Sequence, residues 1–171
     1  MADGTFAVLT LALGLFDMTQ NHCPNEGCLA KNTVDSHLSF SAAETYFQED
    51  PYGQEFYIRH DTSLAHGPFQ TIYGLSVTDD QDVWFGVGHA YTMPLFHGAY
   101  MQLHAMPGVY LQGEGVDLGG PIEFRSGIEL GYEARNGLRV GLGYDHRSNA
   151  GIYESNMGLE TVMLRVSIPT N

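Results

Sequence analysis

The sequence predicts an all-β fold, an eight-stranded antiparallel transmembrane barrel, and three observations carry that prediction. Long runs alternate apolar and polar residues with period two, as strands with two unlike faces do. Charged residues make up only 16% of 171 residues, while glycine reaches 21, tyrosine 10 and phenylalanine 9, a mix that suits twisted strands better than helices. Finally, Gly86, Gly88, Gly127, Gly131, Gly141 and Gly143 lie on the polar faces, interleaved with Arg125, Glu129 and Arg139. Small residues beside charged ones suit the narrow, filled lumen of an eight-stranded barrel. On a water-facing surface they would only weaken the strands. The apolar faces are therefore expected to look outward to lipid.

In chain order, Thr5 to Asp17 reads as the first strand, with Ala7, Leu9, Leu11, Leu13 and Leu15 on one face. Its apolar core has the length of a signal-peptide segment, but Asp3 precedes it, no Lys or Arg does, and no small-x-small site follows. The chain thus reads as a mature form with an added start methionine. Residues 18–53 read as a long insertion and first external loop, with the alternating piece Leu38 to Phe47 taken as part of that loop. Strands follow at 55–63, with Glu55, Arg59 and Asp61 on the charged side, and at 69–78, ended by Asp79-Asp80-Gln81-Asp82. Further strands run over 83–92, 101–112, 122–133, 138–148 and 160–168, the Arg135-Asn136-Gly137 turn joining two of them. That makes eight strands, with short turns at 66–68, 93–98 and 135–137 at one end. The longer connections at 18–53, 113–121 and 149–159 fall at the other, as external loops do. Trp84, Tyr73, Tyr91, Tyr132 and Tyr144 are candidate interfacial aromatics. Arg125, Glu123, Glu129 and Arg165 are expected to pair in the lumen. Nothing marks a second domain, so residues 1–171 read as one barrel.

Twenty acidic against 7 basic residues, a formal charge of -13, argue against nucleic acid, because phosphate binding needs clustered Lys and Arg. Cys23 and Cys28 flank Pro24-Asn25-Glu26-Gly27 in a chain without other cysteine, which suggests a small disulfide loop formed in an oxidising compartment. His22 beside them does not make a zinc site, since no second ligand pair has suitable spacing.

Chemistry concentrates between His146 and Glu160. His146 and Ser148 are two apart on one strand, so imidazole and hydroxyl are neighbours on one face, at the end of the apolar stripe formed by Leu138, Val140, Leu142 and Tyr144. Glu160 begins the next antiparallel strand and can reach the other ring nitrogen. Asn149, Ala150, Gly151 and Asn156 in the connecting loop are candidate hydrogen-bond donors to an oxyanion. Such a titratable cluster on a lipid-facing stripe is costly unless its members satisfy one another.

The run His146-Arg147-Ser148-Asn149-Ala150-Gly151, with Asn156-Met157-Gly158-Leu159-Glu160 and the closing Ser167-Ile168-Pro169, resembles the C-terminal motif of the lipid A 3-O-deacylases, the PagL-type outer-membrane esterases. Leu118 through Gly127 is similar to a segment of the related acyloxyacyl hydrolase-like proteins. The resemblance runs from about residue 68 onward and does not extend to residues 18–53. It implies a bacterial outer-membrane serine esterase that removes the ester-linked 3-hydroxyacyl chain at position 3 of lipid A. Ser148 would be nucleophile, His146 general base and Glu160 the orienting acid, with Asn156 and the Gly151 amide serving the oxyanion. Lipid A or lipopolysaccharide is then the partner, a homodimer is compatible with such a barrel, and neither cofactor nor metal is implied. The reading from a different class is a non-catalytic outer-membrane barrel in adhesion or envelope stability, using residues 18–53 as its contact surface. A third is a soluble lipocalin-like carrier.

Overall fold

The computed structural model describes residues 4–25 and 27–170; the start methionine and Asp3 lie outside them. Among the described residues nine strands form, and eight close a barrel. They are β1 (Lys31–Thr33), β2 (His37–Phe47), β3 (Asp50–His66), β4 (Phe69–Thr78), β5 (Val83–Pro94), β6 (Ala99–Leu111), β7 (Ile122–Glu133), β8 (Arg139–Ser148) and β9 (Leu159–Pro169). Every pairing is antiparallel between chain neighbours, and β2 with β9 closes the ring, from His37 opposite Pro169 to Phe47 opposite Leu159. The short β1 continues the edge of β3 beyond β2, with Thr33 opposite Leu64.

Two expected elements are corrected, and the errors offset each other in the count of eight. Thr5–Asp17 is not a strand but a helix, α1, running into a short π-helical turn at Met18–His22. Its alternation lacks contrast: Phe6, Val8, Ala12 and Phe16 make the opposite face apolar too. A strand in lipid also needs partners on both edges, whereas a helix satisfies its own backbone. Conversely, Leu38 to Phe47 belongs to the wall as β2. Ser39, Ser41, Ala43 and Thr45 are buried inside, while Phe40 and Ala42 face out; the alternation is plain, but with residues 5–17 counted as a strand it would make nine.

Residues 18–53 therefore do not form one external loop. Only the turn Gln48-Glu49, both with positive φ, joins β2 to β3 at the site end of the barrel. The segment before β2 lies at the opposite end, where Gly67 N–H donates to Ala30 O at 3.0 Å and where Cys23 and Cys28 are joined as the expected disulfide. Connections 67–68, 95–98 and 134–138 share that end. The connections 79–82, 112–121 and 149–158 lie at the other, with 48–49.

Leu75, Phe85, Leu130, Leu142 and Leu164 are exposed on the outer wall, so the apolar faces point away from the lumen and the soluble-carrier reading falls. The lumen holds four guanidiniums, Arg59, Arg125, Arg147 and Arg165, against the buried carboxylates Glu55, Asp61, Glu129 and Asp145. Arg125 reaches Glu55 at 2.8 Å and Asp145 at 2.6 Å, Arg147 also pairs with Glu55, Arg59 forks onto Asp61 at 2.7 and 3.0 Å, and Arg165 pairs with Glu129. The Arg125 guanidinium also lies 3.9 Å over the Tyr57 ring, a cation–π contact. Trp84 is a lumen residue rather than an interfacial one, and its Nε1 donates to Glu123 O at 3.2 Å. Gly86 and Gly108 make its room: a Cβ at either would come within 2.4 to 2.5 Å of the indole.

Removing one member of a buried ion network strands its partners, at about 3–5 kcal/mol. Glu55→Ala leaves both Arg125 and Arg147 short of a carboxylate, so its unfolding free energy in detergent micelles should fall by about that much. A denaturant midpoint within error of wild type would refute this account of the lumen.

Candidate active site

Strand β8 alternates between two environments at its site end. Asp145 and Arg147 point inward into the ion network, while His146 and Ser148 point outward. Outward positions further along the same strand are open to lipid, Leu142 being 65% exposed, yet His146 is 2% and Ser148 7% exposed. The loop 149–158 and the start of α1 cover them: Gly4 and Ala7 share with His146, Ser148, Ala150 and Asn156 the wall of a cavity of about 440 Å3. On its other side His146 borders a second cavity, of about 370 Å3, with Gln48, Glu49, Met157 and Glu160.

The register delivers the expected carboxylate. His146 is directly opposite Glu160 of β9, and Nδ1 lies 3.3 Å from Oε1. That contact engages Nδ1, one of the two ring nitrogens. Ser148 is two residues on along the same face, about 7 Å between Cα atoms at the rise of a strand. His146 thus meets Glu160 across the strands and shares an outward face and a cavity with Ser148.

The loop residues are engaged in different ways. Asn149 is fully buried and its side chain is spent inside the loop, Nδ2 donating to Leu118 O at 3.0 Å and Ser155 O at 2.7 Å. Its Oδ1 accepts the Gly151 N–H at 3.0 Å, so that amide is also engaged. Both are engaged within the loop, because a loop that crosses a buried region must pair its own polar groups. Asn156 accepts the Asn149 N–H on Oδ1 at 3.0 Å, which leaves its NH2 as the donor beside the two cavities it lines. Ala150 and Gly151 both have left-handed backbone, φ 54 and 77, at the rim of the first cavity.

Three neighbours escaped the sequence reading. Ser126 of β7 is directly opposite His146 and 5% exposed; its signal was a polar residue in the apolar stripe between Phe124 and Ile128. His104, one of several histidines with no evident pattern, lies in the lumen 3.4 Å from Asp145, and only the barrel's closure brings them together. Gly158 is the third. A Cβ on it would come within 2.8 Å of the His146 ring, so this position holds the imidazole against β9 by close backbone approach.

Comparison with known proteins decides the family. The model of the lipid A 3-O-deacylase (PagL) family matches residues 30–169. The chain belongs to that family. Its fold is that of the crystal structure of the outer membrane enzyme PagL, at TM-score 0.62 and 17% identity, covering 78% of this chain and 99% of that one. A de novo designed transmembrane β-barrel aligns at TM-score 0.59 and 9% identity, over 80% and 95% of the two chains. Neisserial surface protein A aligns at 0.57 and 11%, over 82% and 99%. No curated sequence matches the chain. The protein is thus an outer-membrane barrel of a family of lipid A ester hydrolases. The match begins after α1 and the disulfide loop.

Substituting Gly158 by Ala should displace the imidazole while leaving the barrel intact. Displacements near 1 Å at a reacting group lower rates about a hundredfold. Lipid A deacylation by Gly158→Ala is expected to drop by that order with an unchanged unfolding midpoint; full activity would show that the close approach positions nothing.

Proposed function

We propose that this lipid A 3-O-deacylase works through Ser148 as nucleophile, His146 as general base and Glu160 as the group that orients and stabilises the imidazolium. The observation that carries the proposal is the 3.3 Å contact of Glu160 with His146 Nδ1, on a wall where Ser148 shares the same outward face and the same cavity. Ser148 Oγ attacks the carbonyl of the ester at position 3 of lipid A, and His146 takes the hydroxyl proton. The oxyanion is met by the Asn156 NH2. Collapse expels the sugar oxygen, which takes the proton from His146, and leaves the 3-hydroxyacyl group on Ser148. Water, deprotonated by His146, then releases the fatty acid and restores the serine. The nucleophile lies on the outward side of the wall, so the ester reaches it from the lipid.

The adhesion reading has lost its support: residues 37–47 are barrel wall, and residues 18–36 sit at the end away from the long loops.

Electrostatics bear on the headgroup. Of the seven basic residues, Arg59, Arg125, Arg147 and Arg165 are buried in the lumen, and Lys31, Arg135 and Arg139 lie at the far end. The site end instead exposes Glu49, Asp50, Asp79, Glu114, Asp117 and Glu154. A phosphorylated headgroup approaching that rim is repelled, and salt screens such repulsion over about 10 Å at 0.1 M.

Ser148→Ala should lower release of the 3-hydroxy fatty acid about a thousandfold, read by mass spectrometry of lipid A; an unchanged lipid A profile rejects the nucleophile. Raising monovalent salt should speed deacylation of phosphorylated lipid A severalfold more than that of its dephosphorylated form. Equal salt responses would show that the acidic rim does not act on the headgroup.

A further inference from the structure

Helix α1 belongs to none of the barrel's pairings and lies outside the residues that match the family, yet it is docked on the outer wall over the site. Phe6 packs on the Tyr144 ring at 5.7 Å between centroids. At its other end Gly14 sits so close to Phe69 of β4 that a Cβ there would come within 2.3 Å of the ring. Between these points it buries outward-facing Leu103 and Tyr91, whose counterparts elsewhere on the wall are open to lipid. The side away from the barrel presents Val8, Leu11, Leu15 and Phe16, and no charged residue occurs from Gly4 to Phe16. At 1.5 Å per residue the helix is about 20 Å long, too short to cross a bilayer but at home in its apolar layer, because its backbone is satisfied internally. The one polar side chain on its buried face, Thr10, donates to Phe6 O at 2.6 Å.

The docked helix turns an open wall into a half-enclosed space. The cavity of about 440 Å3 has Ser148 and His146 on one side and apolar walls made by Ala7 of α1, Ala105 and Pro107 of β6, and Phe124 of β7. That size falls within the roughly 300–1,000 Å3 of small-ligand sites. Resting on the esterase reading above, we propose that this space receives the acyl chain of the substrate, that α1 is its outer wall, and that Ala7 sets the chain length admitted. The chain enters along the helix from the lipid and its ester carbonyl comes to Ser148. A larger side chain at position 7 fills the space that the distal methylenes use. Val8, 65% exposed on the lipid side, has no such access.

The test uses the full chain in detergent–phospholipid micelles, with 3-hydroxyacyl esters of one glucosamine headgroup that differ only in chain length. Ala7→Phe should shift the preference to shorter esters, each methylene beyond the new limit lowering kcat/KM by about tenfold. Val8→Phe, equal in bulk, should keep the wild-type profile. The inference is overturned if Ala7→Phe keeps or lengthens the preference, if Val8→Phe shifts it equally, or if the purified protein has the wild-type profile but a mass lacking residues 1–17. Turnover abolished by Ser148→Ala but blind to Ala7→Phe defeats this inference alone. Wild-type protein that hydrolyses none of the esters defeats the esterase reading, and this inference with it.

Discussion

The hydrogen-bonded closure of β2 onto β9 is the constraint on which the rest depends. In hydrocarbon an open strand edge is untenable, so the sheet must find a partner for each edge within the chain. Once β2 fills that place, no edge remains for residues 5–17, and the same apolar composition that could have made a strand makes a helix on the outside. Closure also creates the lumen, and with it the need to pair every polar group it encloses.

That lumen is the support of the site. At the end of β8 the side chains alternate between the ion network and the bilayer, so Asp145 and Arg147 are held by Arg125, His104 and Glu55 on either side of His146. A strand gripped this way on its inner face has little freedom on its outer face. The histidine and serine thus sit on the outward face of a rigid backbone, and Glu160 needs only the neighbouring register to reach His146. The loop beyond is stiffened separately by Asn149, whose side chain ties Leu118, Gly151 and Ser155 together.

Legibility followed polarity contrast. Where inner residues are charged and outer ones large, as in Ile122 to Tyr132, strand, register and facing could all be read, and Arg125, Glu129 and Arg165 were rightly placed in the lumen. Where both faces are apolar, α1 passed for a strand, and that extra strand left β2, whose alternation is plain, without a place in an even count. Trp84 misled for a related reason, since an aromatic suits both a membrane interface and a cation-lined lumen. Gly158 and Ser126 carry their roles through distances across strands, which no linear spacing encodes.

The site shows the same division between chain and fold. Spacing along the chain determined that His146 and Ser148 share a face and that Glu160 opens the next strand, because side chains alternate with a period of two whatever the surroundings. It also determined that this face looks to lipid, since glycines and charges occupy the other. Only the tertiary structure decided how the loop groups are paired. Asn149 donates to Leu118 and Ser155 and accepts the Gly151 amide, Asn156 accepts the Asn149 amide, and a helix from the far end of the chain roofs the cavity. Hydrogen bonds and cavity walls are settled by what lies opposite in space, and that is known only once the barrel has closed.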